Sequence, residues 1–156
     1  KAYAKIKDKY PHWNLVILGE GEERERLSKQ LEKLEASNRI SLPGSAGNMS
    51  EWYNRADIFV LSSSVEGFPN VLLEAMSYGL PSISFDCDTG PRDMIEDGFN
   101  GILINPEDQE NGLIKALEKM IIDTSFRKTI AENSITIRDK YSVESIMQKW
   151  NNVLNN

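Results

Sequence analysis

Ile58-Phe59-Val60-Leu61-Ser62-Ser63-Ser64-Val65-Glu66-Gly67-Phe68-Pro69-Asn70-Val71-Leu72-Leu73-Glu74 reads as a strand, a polar loop and the start of a helix. Four apolar residues stop at three serines, which suits a short strand buried on both faces. Beyond the loop, apolar positions recur at helical spacing from about Asn70 to Tyr78. A strand followed directly by a helix cannot turn back as a hairpin. It predicts one arm of a parallel sheet with a crossover helix.

The same unit recurs on either side. Trp13 to Leu18 ends at Gly19, Arg39 to Leu42 ends at Pro43-Gly44, Ser82 to Phe85 follows Pro81, and Gly101 to Ile104 precedes Asn105-Pro106. Helical patterns cover about 22–36, 49–55, 70–78 and 91–96. The expected fold is α/β: a Rossmann-like, doubly wound parallel sheet of about five to six strands with helices on both faces. From about 107 to 156 the pattern is helical throughout, and Ser142 is the expected cap of a last helix carrying Val143, Ile146, Met147, Trp150 and Leu154. At 156 residues one domain over residues 1–156 is expected.

Composition narrows the function. A net charge of −6 argues against a general nucleic-acid binder, which needs a surplus of Lys and Arg on one face. One cysteine and one histidine leave no internal disulfide and no structural zinc set. Apolar runs of four to six residues are far short of the roughly 20 that span a bilayer. The reading is a cytoplasmic protein, with a peripheral position at the inner membrane face open to the intact chain. Lys1 falls inside a helical pattern (Tyr3, Ile6, Tyr10), so a segment of a longer protein is expected.

The loop and helix form the first candidate site. Helix-start amides of Val71, Leu72 and Leu73 would face the carboxyl edge of the sheet, where open parallel sheets bind ligands. Such amides favour anions, and Gly67 would let backbone approach a diphosphate. Two carboxylates flank this anion site, so they serve some other part of a ligand. Glu74, one turn in, can accept from a vicinal diol such as a ribose, and Glu66 can accept from hexose hydroxyls or face positive charge at an anomeric carbon. The plain alternative makes Glu66 a loop residue and Glu74 a solvated helical one.

Other motifs are weaker. Gly19-Glu20-Gly21 sits where a dinucleotide fingerprint would, but Arg24 replaces the third glycine and Glu20, Glu22, Glu23 and Glu25 crowd the turn with carboxylates. A tight turn and helix start is the favoured reading. Asp86-Cys87-Asp88 could hold one divalent ion on a diphosphate, against an ordinary polar loop. His12 and Cys87 show no partner for nucleophilic or base chemistry.

Taken together, Ala56 to Ser63, Glu66 to Met76 and Gly79-Leu80-Pro81 resemble the family 4 retaining glycosyltransferases of the GT-B fold, whose signature is two glutamates separated by seven residues. Leu15 to Gly21, Ile40 to Gly44, Gly90 to Ile95, Asp97 to Gly101 and Trp150 extend the resemblance along almost the whole chain. It implies a C-terminal, donor-binding domain of a hexosyltransferase. Glu66 would contact the donor sugar as the catalytic-site glutamate, and Glu74 the ribose. Gly67, Phe68, Pro69, Asn70, Val71 and Leu72 would meet sugar and diphosphate, with Gly19 beside them and Gly44 and Ala46 against the base. The resemblance further implies a nucleoside diphosphate sugar as substrate and no metal or other cofactor. The implied partners are an N-terminal Rossmann domain of the same chain and a saccharide or lipid-linked acceptor, as in bacterial surface polysaccharide or lipopolysaccharide synthesis. UDP is the expected nucleotide. The diphosphate-clamping Arg and Lys of relatives have no equivalent in Lys1 to Lys9, and Asp93 stands where relatives often carry Glu. The segment alone is therefore expected to bind donor weakly and not to turn over. A nucleotide-sugar-binding module without turnover and a GT-B-fold UDP-sugar epimerase are the alternatives.

Overall fold

The computed structural model describes residues 1–155. Its first elements are α1 (Ala2–Ile6), β1 (Leu15–Leu18), α2 (Arg24–Lys33), β2 (Ile40–Gly44) and α3 (Met49–Arg55). They are followed by β3 (Phe59–Leu61), α4 (Asn70–Ser77), β4 (Ser82–Phe85), α5 (Pro91–Met94) and β5 (Ile102–Ile104). A 3-10 turn (Pro106–Asp108) leads into α6 (Gln109–Ile122), α7 (Thr124–Ser134), α8 (Ile137–Lys140) and α9 (Val143–Leu154). Strand and helix alternate as the sequence predicts, and the strand pairs are all parallel. Two compact units divide between Trp52 and Tyr53.

In the first unit β1 pairs β2, with Leu15 opposite Ile40 and Leu18 opposite Gly44. The strands expected from Trp13 and Arg39 start later. The Trp13 carbonyl is taken by the Tyr3 hydroxyl at 2.6 Å and by the Arg39 guanidinium, which also donates to Asn14 Oδ1 at 2.8 Å. Side chains thus occupy the position a strand partner would need. Val16 and Ile17 are exposed, so β1 departs from the doubly buried pattern of the later strands.

In the second unit the order is β3-β4-β5. β4 is buried at every position, as the middle strand of a covered parallel sheet must be. Register turns the period-two alternation into two faces. Val60, Ile83 and Ile102 lie in one row, and Leu61, Ser84 and Leu103 in the next. Ile83, Phe85 and Ile104 pack with Ala116 and Met120 of α6 and Ile130 of α7. On the opposite face Leu61 packs with Leu72 and Met76 of α4, Met94 of α5, Ile95 and Ile137 of α8. The buried hydroxyls of Ser82 and Ser84 are satisfied by the carbonyls of Leu80 and Phe85, at 2.9 and 3.0 Å.

The helical tail is divided by caps rather than continuous. Asp123 Oδ1 accepts from the Phe126 amide at 2.9 Å and the Ser125 hydroxyl at 2.7 Å, which starts α7 and holds the Asp123 carboxyl below its usual range. Ser142 caps α9 as expected, its Oγ accepting from the Ser145 amide at 3.1 Å. Val143, Met147, Trp150, Val153 and Leu154 of α9 are all more than half exposed. Among the described residues no helix is long and apolar enough to cross a membrane.

Ile83 has no exposed surface. Ile83→Ala is expected to cost about 2–5 kcal/mol, read as a lowered denaturation midpoint, whereas Val16→Ala should stay near or below about 1 kcal/mol.

Candidate functional site

Because β3 and β4 are parallel neighbours, the loops that follow them leave the same edge of the sheet. Those loops are joined by several contacts. Cys87 Sγ donates to the Ser63 carbonyl at 3.2 Å, and the Thr89 hydroxyl donates to the Glu66 carbonyl at 2.6 Å. Gly90, at φ +86°, sits so close that a Cβ there would lie 2.6 Å from Pro69 Cδ and 2.8 Å from the Gly67 carbonyl oxygen. The Gly90 amide donates to Asp93 Oδ2 at 3.3 Å, which closes the turn into α5. From the other side the Phe68 ring meets Tyr141 edge-on at 5.6 Å. Tyr141 and Lys140 both donate to the Asp93 carbonyl. The 66–70 loop is therefore braced at its Glu66, Gly67, Phe68 and Pro69 positions.

The helix start differs in part from its expected form. The Leu72 and Leu73 amides both donate to the Pro69 carbonyl, at 2.9 and 3.2 Å, and the Asn70 amide donates to the Phe68 carbonyl at 3.0 Å. Among the described residues no backbone carbonyl engages the Val71 amide. Pro69 is buried and serves as the helix N-cap, so its carbonyl gathers amides that a wider entry would leave open. Gly67 is exposed with open space around a built Cβ, and its φ is not left-handed. Its smallness leaves room on the solvent side, while the conformational need for glycine falls on Gly90.

Glu74 is exposed in the second turn of α4 and has a partner that the sequence did not reveal. The Tyr53 hydroxyl donates to Glu74 Oε2 at 3.0 Å. Tyr53 is buried in α3, its ring edge-on to Phe59 at 6.4 Å and tilted against Tyr78 at 5.3 Å. Burial first, then the Glu74 hydrogen bond and charge, push the Tyr53 phenol well above the ordinary tyrosine value, so it remains a donor. Tyr53 and Glu74 are 21 residues apart. No local spacing signals the pair, although an aromatic on the helix before β3 was visible.

Glu66 is half-buried. Its charge acts on Cys87, whose thiol is pushed up by burial and then by Glu66, Asp86 and Asp88. Cys87 is therefore an unreactive thiol. Arg92 Nε binds Asp86 Oδ1 at 2.9 Å, and its Nη2 lies 3.8 Å from Asp88 Oδ1. The Asp-x-Asp pair is engaged by a guanidinium, and among the described residues no three His, Cys, Asp or Glu side chains gather as a metal set. His12 is exposed beside Pro11.

Gly19, Gly44 and Ala46 belong to the first unit, and residues 66 to 74 to the second. Gly19 (φ +121°) donates its amide to the Gly44 carbonyl at 2.9 Å, joining the carboxyl ends of β1 and β2. Gly44 (φ +91°) is buried against Glu20, which accepts from Arg24 Nη1 at 2.8 Å. Arg24 Nη2 reaches the Leu42 carbonyl at 2.8 Å. Gly19-Glu20-Gly21 is thus a turn and helix start closed by an ion pair. Ala46 is half-buried in the turn after β2.

Parallel strands, helices on both faces and a braced loop carrying two glutamates at the strands' carboxyl edge define a Rossmann-like half of the GT-B type. The chain belongs to the group 1 glycosyl transferases: residues 1–136 match the model of the family "Glycosyl transferases group 1". An uncharacterized glycosyltransferase of Haemophilus influenzae is 30% identical over 99% of this chain and 43% of its own length. The amylovoran biosynthesis glycosyltransferase AmsD of Erwinia amylovora is 35% identical over 92% of this chain and 40% of its own. The crystal structure of the pneumococcal O-GlcNAc transferase GtfA in complex with UDP and GlcNAc superposes with a TM-score of 0.86, at 26% identity, over 99% of this chain and 31% of that one. The chain spans less than half the length of these relatives.

Gly90→Ala should destabilise the second unit by about 2 kcal/mol or more, because it combines a left-handed φ with two contacts below 3 Å. Gly67→Ala, with open space, should stay within about 1 kcal/mol. Urea denaturation of the two variants side by side checks the contrast.

Proposed function

We propose that the intact protein is a retaining hexosyltransferase. It transfers a hexose or N-acetylhexosamine from a nucleoside diphosphate sugar, UDP being the nucleotide, to a saccharide or lipid-linked acceptor of a bacterial surface glycan. The observation that carries this reading is the braced loop from Glu66 to Pro69, with carboxylates at either end of a helix start whose Val71 amide meets no backbone carbonyl among the described residues. AmsD acts in amylovoran biosynthesis and GtfA was solved with UDP and GlcNAc, which supports a polysaccharide role and a UDP-sugar donor.

Roles follow from charge and position. Anionic side chains do not hold diphosphate; as the family resemblance implies, Glu66 serves the donor sugar and Glu74 the ribose diol, while Gly67 to Leu72 meet sugar and diphosphate. Gly19 is assigned to the donor, and Gly44 and Ala46 to its base. The bond from the anomeric carbon to the diphosphate oxygen breaks as its bond to the acceptor oxygen forms on the same face, the acceptor hydroxyl's proton passing to the departing diphosphate, with amides and basic side chains rather than a metal meeting the leaving charge. An N-terminal Rossmann domain of the same chain supplies the acceptor side and covers the apolar face of α9. The 156-residue segment alone binds donor weakly and does not turn over.

In the intact protein, Glu66→Ala and Glu74→Ala are each expected to lower nucleotide release in the presence of acceptor by about a hundredfold or more. Turnover equal to wild type in both variants would overturn the assignment. Absence of release by the wild-type protein across UDP-, GDP- and ADP-sugars would make the site a binding module.

A further inference from the structure

The surroundings of Glu74 carry one step beyond the ribose assignment, on which that step rests. Glu74 is exposed on α4, and a glutamate with three rotatable side-chain bonds in solvent samples many orientations. Here one oxygen, Oε2, accepts from Tyr53 at 3.0 Å. Tyr53 itself has little freedom: its ring is buried and held between Phe59 and Tyr78. The anchor is a rigid group in the helix before β3, and the anchored group is a mobile one at the site.

We propose that Tyr53 is a positioning residue for Glu74. Its phenol fixes one carboxylate oxygen, so that the other, with both its lone pairs, is presented in one orientation to the ribose diol. A diol bound by a prearranged carboxylate loses less side-chain freedom on binding than one bound by a free carboxylate. The geometry makes Tyr53 a determinant of ribose recognition without touching the ligand. Because burial and the Glu74 carboxylate hold the Tyr53 phenol well above its ordinary value, Tyr53 remains a donor at neutral pH.

The test is the ratio of UDP to 2′,3′-dideoxy-UDP affinity, measured by calorimetry on the intact protein and its variants. A purely structural role for Tyr53 would weaken both nucleotides alike and leave the ratio unmoved. Tyr53→Phe keeps the ring and its packing and removes the hydroxyl. It is expected to weaken UDP about tenfold while changing 2′,3′-dideoxy-UDP less than about twofold. Tyr53→Met, also without the hydroxyl, repeats the measurement should the Phe variant not fold. Glu74→Gln should collapse the same ratio, and Tyr53→Phe added to Glu74→Gln should lower it no further. If Glu74→Gln leaves the ratio at its wild-type value, the ribose assignment itself fails. If Glu74→Gln collapses it and the folded Tyr53 variants leave it unchanged, the ribose assignment stands and the positioning role is overturned.

Discussion

β4 lies between β3 and β5, parallel to both and buried along its length, and the site depends on that pairing. Parallel neighbours send the chain out at one edge, so the segments after Leu61 and Phe85 emerge side by side. Residues 62–69 and 86–90 then have no choice but to pack on one another. The contacts of Thr89 with Glu66, Gly90 with Gly67 and Pro69, and Cys87 with Ser63 are its direct result. Two apolar layers hold the strand in register. One is built on Ile83 and Phe85, and the other on Leu61 and the underside of α4.

The bracing matters because the loop carries groups that must be placed and cannot place themselves. An exposed segment containing glycine and proline would pay an ordering cost on binding a charged ligand. Here that cost is met during folding, through the Thr89 hydroxyl and Cys87 thiol of a neighbouring loop, which donate to its carbonyls, and a ring contact from Tyr141. The same logic applies one turn into α4, where Glu74 leans on Tyr53. In the second case the partner is buried, and in both a polar or irregular surface group is held by a contact from a different segment of the chain.

Arg92 illustrates how charge is handled at this edge. Three acidic loop residues, Glu66 after β3 and Asp86 and Asp88 after β4, lie at this edge, and Arg92 of α5 pairs with the last two. Burial first, and then the charges of Glu66, Asp86 and Asp88, push the Cys87 thiol up. The edge is thus acidic where side chains dominate, while at the start of α4 the Asn70, Leu72 and Leu73 amides are taken by the Phe68 and Pro69 carbonyls.

Strand positions, the helix after Pro69, the Ser142 cap and the family signature were all legible in the chain, because each is written in neighbouring residues. Buried parallel strands need short apolar runs, helices need apolar residues three and four apart, and a cap needs its oxygen three residues before the amide it meets. Other features come from segments far apart in the chain. β1 begins after Trp13, whose carbonyl is taken by the Tyr3 and Arg39 side chains, β2 begins after Arg39, whose amide is taken by the Ala36 carbonyl, and Val16 and Ile17 are exposed. The glycine that the loop cannot lose is Gly90, not Gly67, and the group that orients Glu74 is Tyr53. The sequence by itself determined the order of strands and helices and the Ser142 cap, through local periodicity and spacing, and carried the signature by which the chain resembles its family. Only tertiary structure decided what holds the signature residues in place, because the parallel crossover brings together residues separated by 20 or more positions.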